Sequence, residues 1–126
     1  MLRYKIIKQR NALDANKKEM YYPRLTNRRK YTLYDVAQEI SSRSTLSKAD
    51  TIATLVSLEE VIPYLLKSGY IVDLGGLGTF SLQSSANTSP SESEVTWRNF
   101  RGLKTRFRPG KALKIGLFEV NFRRNG

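Results

Sequence analysis

Residues 70–83, Tyr70-Ile71-Val72-Asp73-Leu74-Gly75-Gly76-Leu77-Gly78-Thr79-Phe80-Ser81-Leu82-Gln83, decide the fold. Residues 70–74 alternate apolar and polar side chains, the period of a half-buried strand. Gly75-Gly76-Leu77-Gly78 is a tight turn, because three glycines supply backbone conformations that other residues resist. Residues 79–83 read as the returning strand. The core of the chain is therefore a hairpin, and what flanks it sets the architecture.

Upstream lie two helices. Thr32 opens the first, and Asp35 three residues on completes a capping-box pattern. Leu33, Val36, Ala37 and Ile40 fall at i, i+3, i+4 and i+7, one apolar stripe. Residues 41–45 are polar and end it. Ser47 with Asp50 repeats the capping signature, and the second helix is expected to run to about Ser68, with Gly69 as its stop. Its apolar residues, from Ala49 through Leu55 and Ile62 to Leu66, cover most of its circumference. A helix of that kind is buried on several sides, which in so short a chain points to a second subunit. Pro63 is expected to kink this helix or end it early.

Downstream, residues 84–94 are rich in Ser, Thr and Asn, include Pro90 and lack any cation, as in a flexible loop or arm tip. Residues 95–107 regain strand character through Val95, Trp97, Phe100, Leu103 and Phe107. Pro109-Gly110 breaks that strand, and residues 111–117 form a short helix. Phe118, Val120 and Phe122 alternate with Glu119, Asn121 and Arg123, a final strand. At the other end, residues 2–9 read as a strand, 11–18 as a polar turn and 19–26 as an edge strand interrupted by Pro23. Asn27-Arg28-Arg29-Lys30 is a basic connection. The division is a basic N-terminal extension, 1–31, and a domain over 32–126.

The 126 residues suffice for one ordinary domain, and 40% of them are hydrophobic, enough for a packed core. Cys and His are absent, which excludes disulfides, thiolate or imidazole metal sites and the commonest nucleophile–base pairs. No metal site and no cofactor is expected. No apolar run approaches the roughly 18 residues that span a bilayer, and the first residues lack a signal-peptide core, so a cytoplasmic location with no membrane partner is expected. The formal charge is +11, and it is not spread evenly. Residues 1–31 carry ten basic and two acidic side chains, and residues 98–126 carry nine and one, whereas 71–97 hold three acids and no base. Such ends exceed what solubility requires and mark a surface for an anionic polymer.

Three segments carry a family resemblance. Val72 to Phe80 resembles the hairpin of the HU/IHF bacterial DNA-bending proteins, where a Gly-aromatic-Gly-Thr-Phe turn joins two strands. Phe107-Arg108-Pro109-Gly110-Lys111-Ala112-Leu113-Lys114 resembles that family's Phe-x-x-Gly-Lys-x-Leu-Lys, where the arm returns and the last helix begins. Leu46-Ser47-Lys48-Ala49-Asp50 resembles its Leu-Ser-Lys-x-Asp helix opening. The basic extension and final strand look like the HU-like variant of Bacteroidetes. The resemblance implies an α+β fold: two N-terminal helices packed under an antiparallel sheet, a protruding β-arm at about 81–106, a short last helix, and extra N- and C-terminal strands. It implies an intertwined homodimer and a histone-like, nucleoid-associated role on double-stranded DNA, including DNA condensation. The chain departs from the pattern in its arm. The outgoing strand and tip lack cations, and Glu92 and Glu94 follow closely on Pro90, the one candidate for the family's DNA wedge.

The candidate DNA-binding residues follow. Arg98, Arg101, Lys104, Arg106 and Arg108 lie on the returning arm strand; by parity Arg98 and Lys104 share one face, as do Arg106 and Arg108. Lys111 and Lys114 sit at i, i+3 behind Gly110 and match basic positions of the family. Lys48 follows an N-cap, where a helix terminus favours an anion. Arg28, Arg29 and Lys30, with Arg24, form a separate cluster that either tracks phosphates or solvates the extension. Trp97 and Phe100 either pack across the arm or stack on bases, and packing is the expectation. Phe80 and Phe107 are expected in the core. Nothing resembles a base-reading donor set. Asp35, Glu39, Asp50, Glu59, Glu60 and Asp73 face no phosphate loop or nucleophile in the sequence, so neither an enzyme nor a small-molecule substrate is expected. The competing expectation is an HU-scaffold protein-interaction module that has lost DNA bending.

Overall fold

The computed structural model describes residues 1–9, 19–26 and 28–125. The turn expected at 11–18 and Asn27 of the basic connection lie outside these. Local signals set most of the elements. β1 (Leu2–Gln9) and β2 (Met20–Thr26) pair antiparallel, with Ile6 opposite Pro23. Pro23 has no N–H to give a further neighbour, and β2 is indeed an edge strand of the sheet β2-β1-β6. α1 (Leu33–Arg43) opens on the expected capping box. The Asp35 amide donates to Thr32 Oγ1 at 3.3 Å, and the Thr32 amide donates to Asp35 Oδ2 at 2.9 Å. α2 (Lys48–Lys67) opens on Ser47, whose Oγ accepts from the Asp50 amide at 3.1 Å. It stops where Gly69 takes φ +91°, a left-handed conformation suited to glycine.

β3 (Val72–Asp73), β4 (Gly78–Ala86) and β5 (Phe100–Pro109) form a second sheet in that order, antiparallel throughout. α3 (Lys111–Gly116) follows directly, and β6 (Phe122–Arg124) runs parallel to β1. The fold is α+β and HU-like. Two compact units result, residues 1–31 with 117–126 and residues 32–116. They divide the chain at 31/32 and again at 116/117, a second division that the sequence reading does not draw. In the larger unit α2 packs on α1 and on β3 and β4. Among the described residues Ala37, Thr51, Leu66, Val72 and Gly78 are buried, with the Thr51 hydroxyl donating to the Ser47 carbonyl at 2.8 Å.

Several expectations are corrected. Pro63 does not end α2, which continues to Lys67. Pro63 and Glu59 are both exposed, so water can replace the missing amide at the Glu59 carbonyl. The returning arm strand begins at Phe100, not near Val95. Residues Glu92–Glu94 and Trp97–Asn99 form 3₁₀ turns instead. The second of these turns is tied to the tip by Asn99. Its side-chain amide donates to the Asn87 carbonyl and to Ser89 Oγ, its Oδ1 accepts from the Thr96 amide, and its carbonyl accepts from the Asn87 amide. The final strand is confined to Phe122–Arg124, so the alternation from Phe118 does not translate into pairing there.

Candidate nucleic-acid interface

The hairpin turn and the start of α3 are built against each other. The Asp73 carboxylate accepts from the Gly75 amide at 2.8 Å, closing the turn, and Gly75 takes φ +65°. The Gly110 amide donates to the Leu77 carbonyl at 3.0 Å, and the Leu113 amide donates to the Gly76 carbonyl at 3.1 Å. A Cβ on Gly110 would lie 2.4 Å from the Gly76 oxygen, and one on Gly76 would lie 2.6 Å from the Ala112 Cβ. Glycine at these positions therefore lets backbone meet backbone, and it fixes where Lys111 and Lys114 emerge at the N-terminal turn of α3 and one turn on.

The β4–β5 register sorts the arm into two faces. Thr79, Ser81 and Gln83 stand opposite Arg108, Arg106 and Lys104, a basic and hydroxyl- or amide-bearing face. Phe80 and Leu82 stand opposite Phe107 and Thr105 on the other, with Leu103 opposite Ser84. The Phe80 and Phe107 rings lie 4.9 Å apart, tilted by 42°, a favourable aromatic pair. Phe107 stays 41% exposed in the single chain. Phe80 is half-buried, so within one chain the two rings cover a face of the arm and are not the enclosed core expected.

Lys104, Arg106 and Arg108 therefore share one strip, and Lys111 and Lys114 follow it in the chain after Pro109-Gly110. Arg98 does not belong to this strip. It sits in the 3₁₀ turn before β5, so the parity that placed it with Lys104 does not apply, and its guanidinium lies 5.5 Å over the Trp97 ring. Arg101 falls at the register irregularity beside Ser85/Ala86. It lines a shallow concavity with Leu82, Ser84, Trp97, Phe100, Gly102 and Leu103. Trp97 is 75% and Phe100 57% exposed, so neither ring is packed across the arm as expected. Trp97 belongs to a 3₁₀ turn and not to a strand, and its indole is exposed. Pro90 is exposed at the tip, next to the Glu92–Glu94 turn. Lys48 is the first residue of α2 and is exposed. Arg28, Arg29 and Lys30 are exposed and belong to the other unit. Arg24 separates from that cluster, being held in β2 opposite Lys5. Thr79, Ser81 and Gln83, neutral donors beside the cations, are the residues that the sequence reading passed over. Their signal was the same alternation, read on β4.

A family model described as an HU domain fused to a wHTH, Ig or glycine-rich motif (HU-HIG) matches residues 1–124. The chain belongs to the HU-HIG family. The HU-like hairpin, second-helix opening and last-helix start thus lie within one matched stretch, together with the terminal strands. No curated protein matches the chain. Among solved structures it is similar to a Bacteroides vulgatus protein provisionally described as a bacterial DNA-binding protein. The identity is 14% and the TM-score 0.65, over 98% of this chain and 47% of the other. At that identity the likeness is one of fold, and this chain spans about half the length of that relative.

Proposed function

We propose that this HU-HIG chain is a non-enzymatic architectural DNA-binding protein of the nucleoid, acting in the cytoplasm as a homodimer on duplex DNA with little sequence preference. The observation that carries the reading is the cationic strip Lys104–Arg106–Arg108 on one face of the arm, followed by Lys111 and Lys114, which the Gly76–Gly110 contact holds in place. Cations in such a row neutralise successive phosphates and need no base contact. Family membership and the described role of the structural relative support the same reading. The homodimer is supported by α2, whose Val56 and Val61 stay 41% and 45% exposed in the single chain.

The test is a titration of random-sequence duplex at several salt concentrations. Lys111→Ala with Lys114→Ala lowers affinity and reduces the salt slope by up to about two contacts, at roughly 0.9 per phosphate. Pro90→Ala leaves affinity nearly intact and alters only the bend angle, read by energy transfer between labelled duplex ends. A binding loss with Pro90→Ala and none with the lysine pair would transfer the function to the arm tip. The second reading, an interaction module on an HU scaffold, draws on that tip. Glu92 and Glu94 stand there without a cation between Ala86 and Glu94, beside the exposed Trp97 and Phe100. Duplex binding that ignores salt, together with saturable capture of a protein partner by the tip, would favour it.

A further inference from the structure

The sheet β2-β1-β6 has two chemically different faces. Its registers run without irregularity, so directly paired residues share a face. One face carries Leu2, Tyr4 and Ile6 of β1 with Leu25 of β2 and Phe122 of β6, together with Lys8 of β1 and with Arg124 of β6 opposite Tyr4. The other carries Arg3 and Lys5 of β1, Arg24 of β2 and Arg123 of β6 at one end, and Ile7 opposite Tyr22 and Gln9 opposite Met20 at the other. All four cations are exposed. Lys5 is directly opposite Arg24, and Arg3 is directly opposite Arg123. Like charges in register repel and destabilise a sheet. No acid relieves this repulsion among the described residues. Among the described residues, the ion pair of Lys8 with Glu19 involves a β1 residue that alternation puts on the opposite face, at the far end of the hairpin. Four cations are thus brought together from strands at both ends of the chain, with no acid paired to them among the described residues.

We propose that this face is a second phosphate-binding surface, which holds the backbone of duplex DNA independently of the cations on the arm and α3. The inference rests on the reading of the chain as a DNA-binding protein. Two residues along a strand rise about 6.8 Å, and neighbouring strands lie about 4.8 Å apart. The four cations therefore cover a compact patch, against a duplex that carries one charge per roughly 1.7 Å of its axis. Three of the four are arginines, whose planar forks match phosphate oxygens. The same end of the face carries Thr26 and Asn125, joined by a hydrogen bond of 2.9 Å from the Asn125 amide to Thr26 Oγ1. Neutral donors of this kind commonly accompany Arg and Lys at DNA backbones. Bound phosphates would remove the repulsion that the empty face sustains.

The experiment replaces Lys5 and Arg24 together by Thr, which retains strand propensity. Salt-dependent titration against random duplex is run beside wild type and the Lys111→Ala, Lys114→Ala pair, with thermal unfolding of each. The Lys5→Thr, Arg24→Thr protein is expected to unfold no lower than wild type, since a repulsion is removed. Its salt slope per protomer is expected to fall by about 1.8, two contacts at 0.9 each. Should that variant unfold early, Arg3→Thr with Arg123→Thr asks the same question from the other pair and is expected to give the same slope change. A wild-type slope in both folded sheet variants, with a reduced slope in the lysine pair, overturns the second surface while the arm reading stands. A reduced slope in the sheet variants alone supports the second surface and removes the arm and α3 from the interface. Loss of binding to phosphatidylserine vesicles in the sheet variants, with duplex titrations unchanged, overturns the inference in favour of a lipid surface.

Discussion

The positions that tolerate least change are those where backbone meets backbone. At Gly110 a Cβ would stand 2.4 Å from the Gly76 oxygen and 2.8 Å from the Gly75 oxygen. Both neighbours are main chain, so no rotamer can yield. Gly110→Ala is expected to destabilise the protein by about 1–3 kcal/mol, as overpacking does, and the loss would appear as a lower urea midpoint. Gly102 is the contrast: it lies in β5 with nothing within 4 Å of a built Cβ. Gly102→Ala is expected to change stability by less than about 0.5 kcal/mol, the usual range for surface changes, and so to leave the midpoint nearly unmoved. Equal effects at the two positions would mean that the turn–helix contact does not hold α3. Asn99 belongs to the same scale, because a single side-chain amide organises the arm tip through Asn87, Ser89 and Thr96.

Among the elements, α1 depends on its start. Thr32 and Asp35 satisfy each other's amides. Thr32→Ala should cost about 1 kcal/mol, measured by thermal denaturation, with Thr32→Ser retaining most of it. This cap was legible in the sequence because its partners lie three residues apart, and the same holds for Ser47 with Asp50 and for the glycine turn at 75–78. Locality also marks where legibility ended. The 3₁₀ turn Trp97–Asn99 is tied to the tip by Asn99 reaching back to Asn87 and Ser89, a contact invisible to a window of alternating side chains, and so Arg98 was placed on a strand that it does not join. The parallel pairing of β6 with β1 joins the two ends of the chain, and no turn signal announces such a pairing. The strip of Lys104, Arg106 and Arg108 could be read from alternation alone. The face bearing Arg3, Lys5, Arg24 and Arg123 could not, because its members are contributed by three separate segments and assembled only by register.

For the molecule as a whole, one chain leaves α2 half covered. Leu55 and Ile62 are half-buried, Val56 and Val61 exposed, and only Thr51 and Leu66 of the helix are buried. Covering an aliphatic side chain of this size contributes roughly 1.5–3 kcal/mol, and the few buried residues of the larger unit leave little stability without it. The helix that packs on α1 and the sheet within a chain would then also supply the contact to a second copy. Core and interface are not separable on such a helix, so a charge there should not yield a folded single subunit. Leu55→Asp or Ile62→Asp is expected to abolish cooperative unfolding, whereas the wild-type protein is expected to sediment as a dimer at micromolar concentration, with a melting temperature that rises with protein concentration. A wild-type chain that sediments as a stable monomer, or an Ile62→Asp variant that melts cooperatively as one, would show that the exposed side of α2 is solvated by design and that the two-fold assembly is not part of this protein.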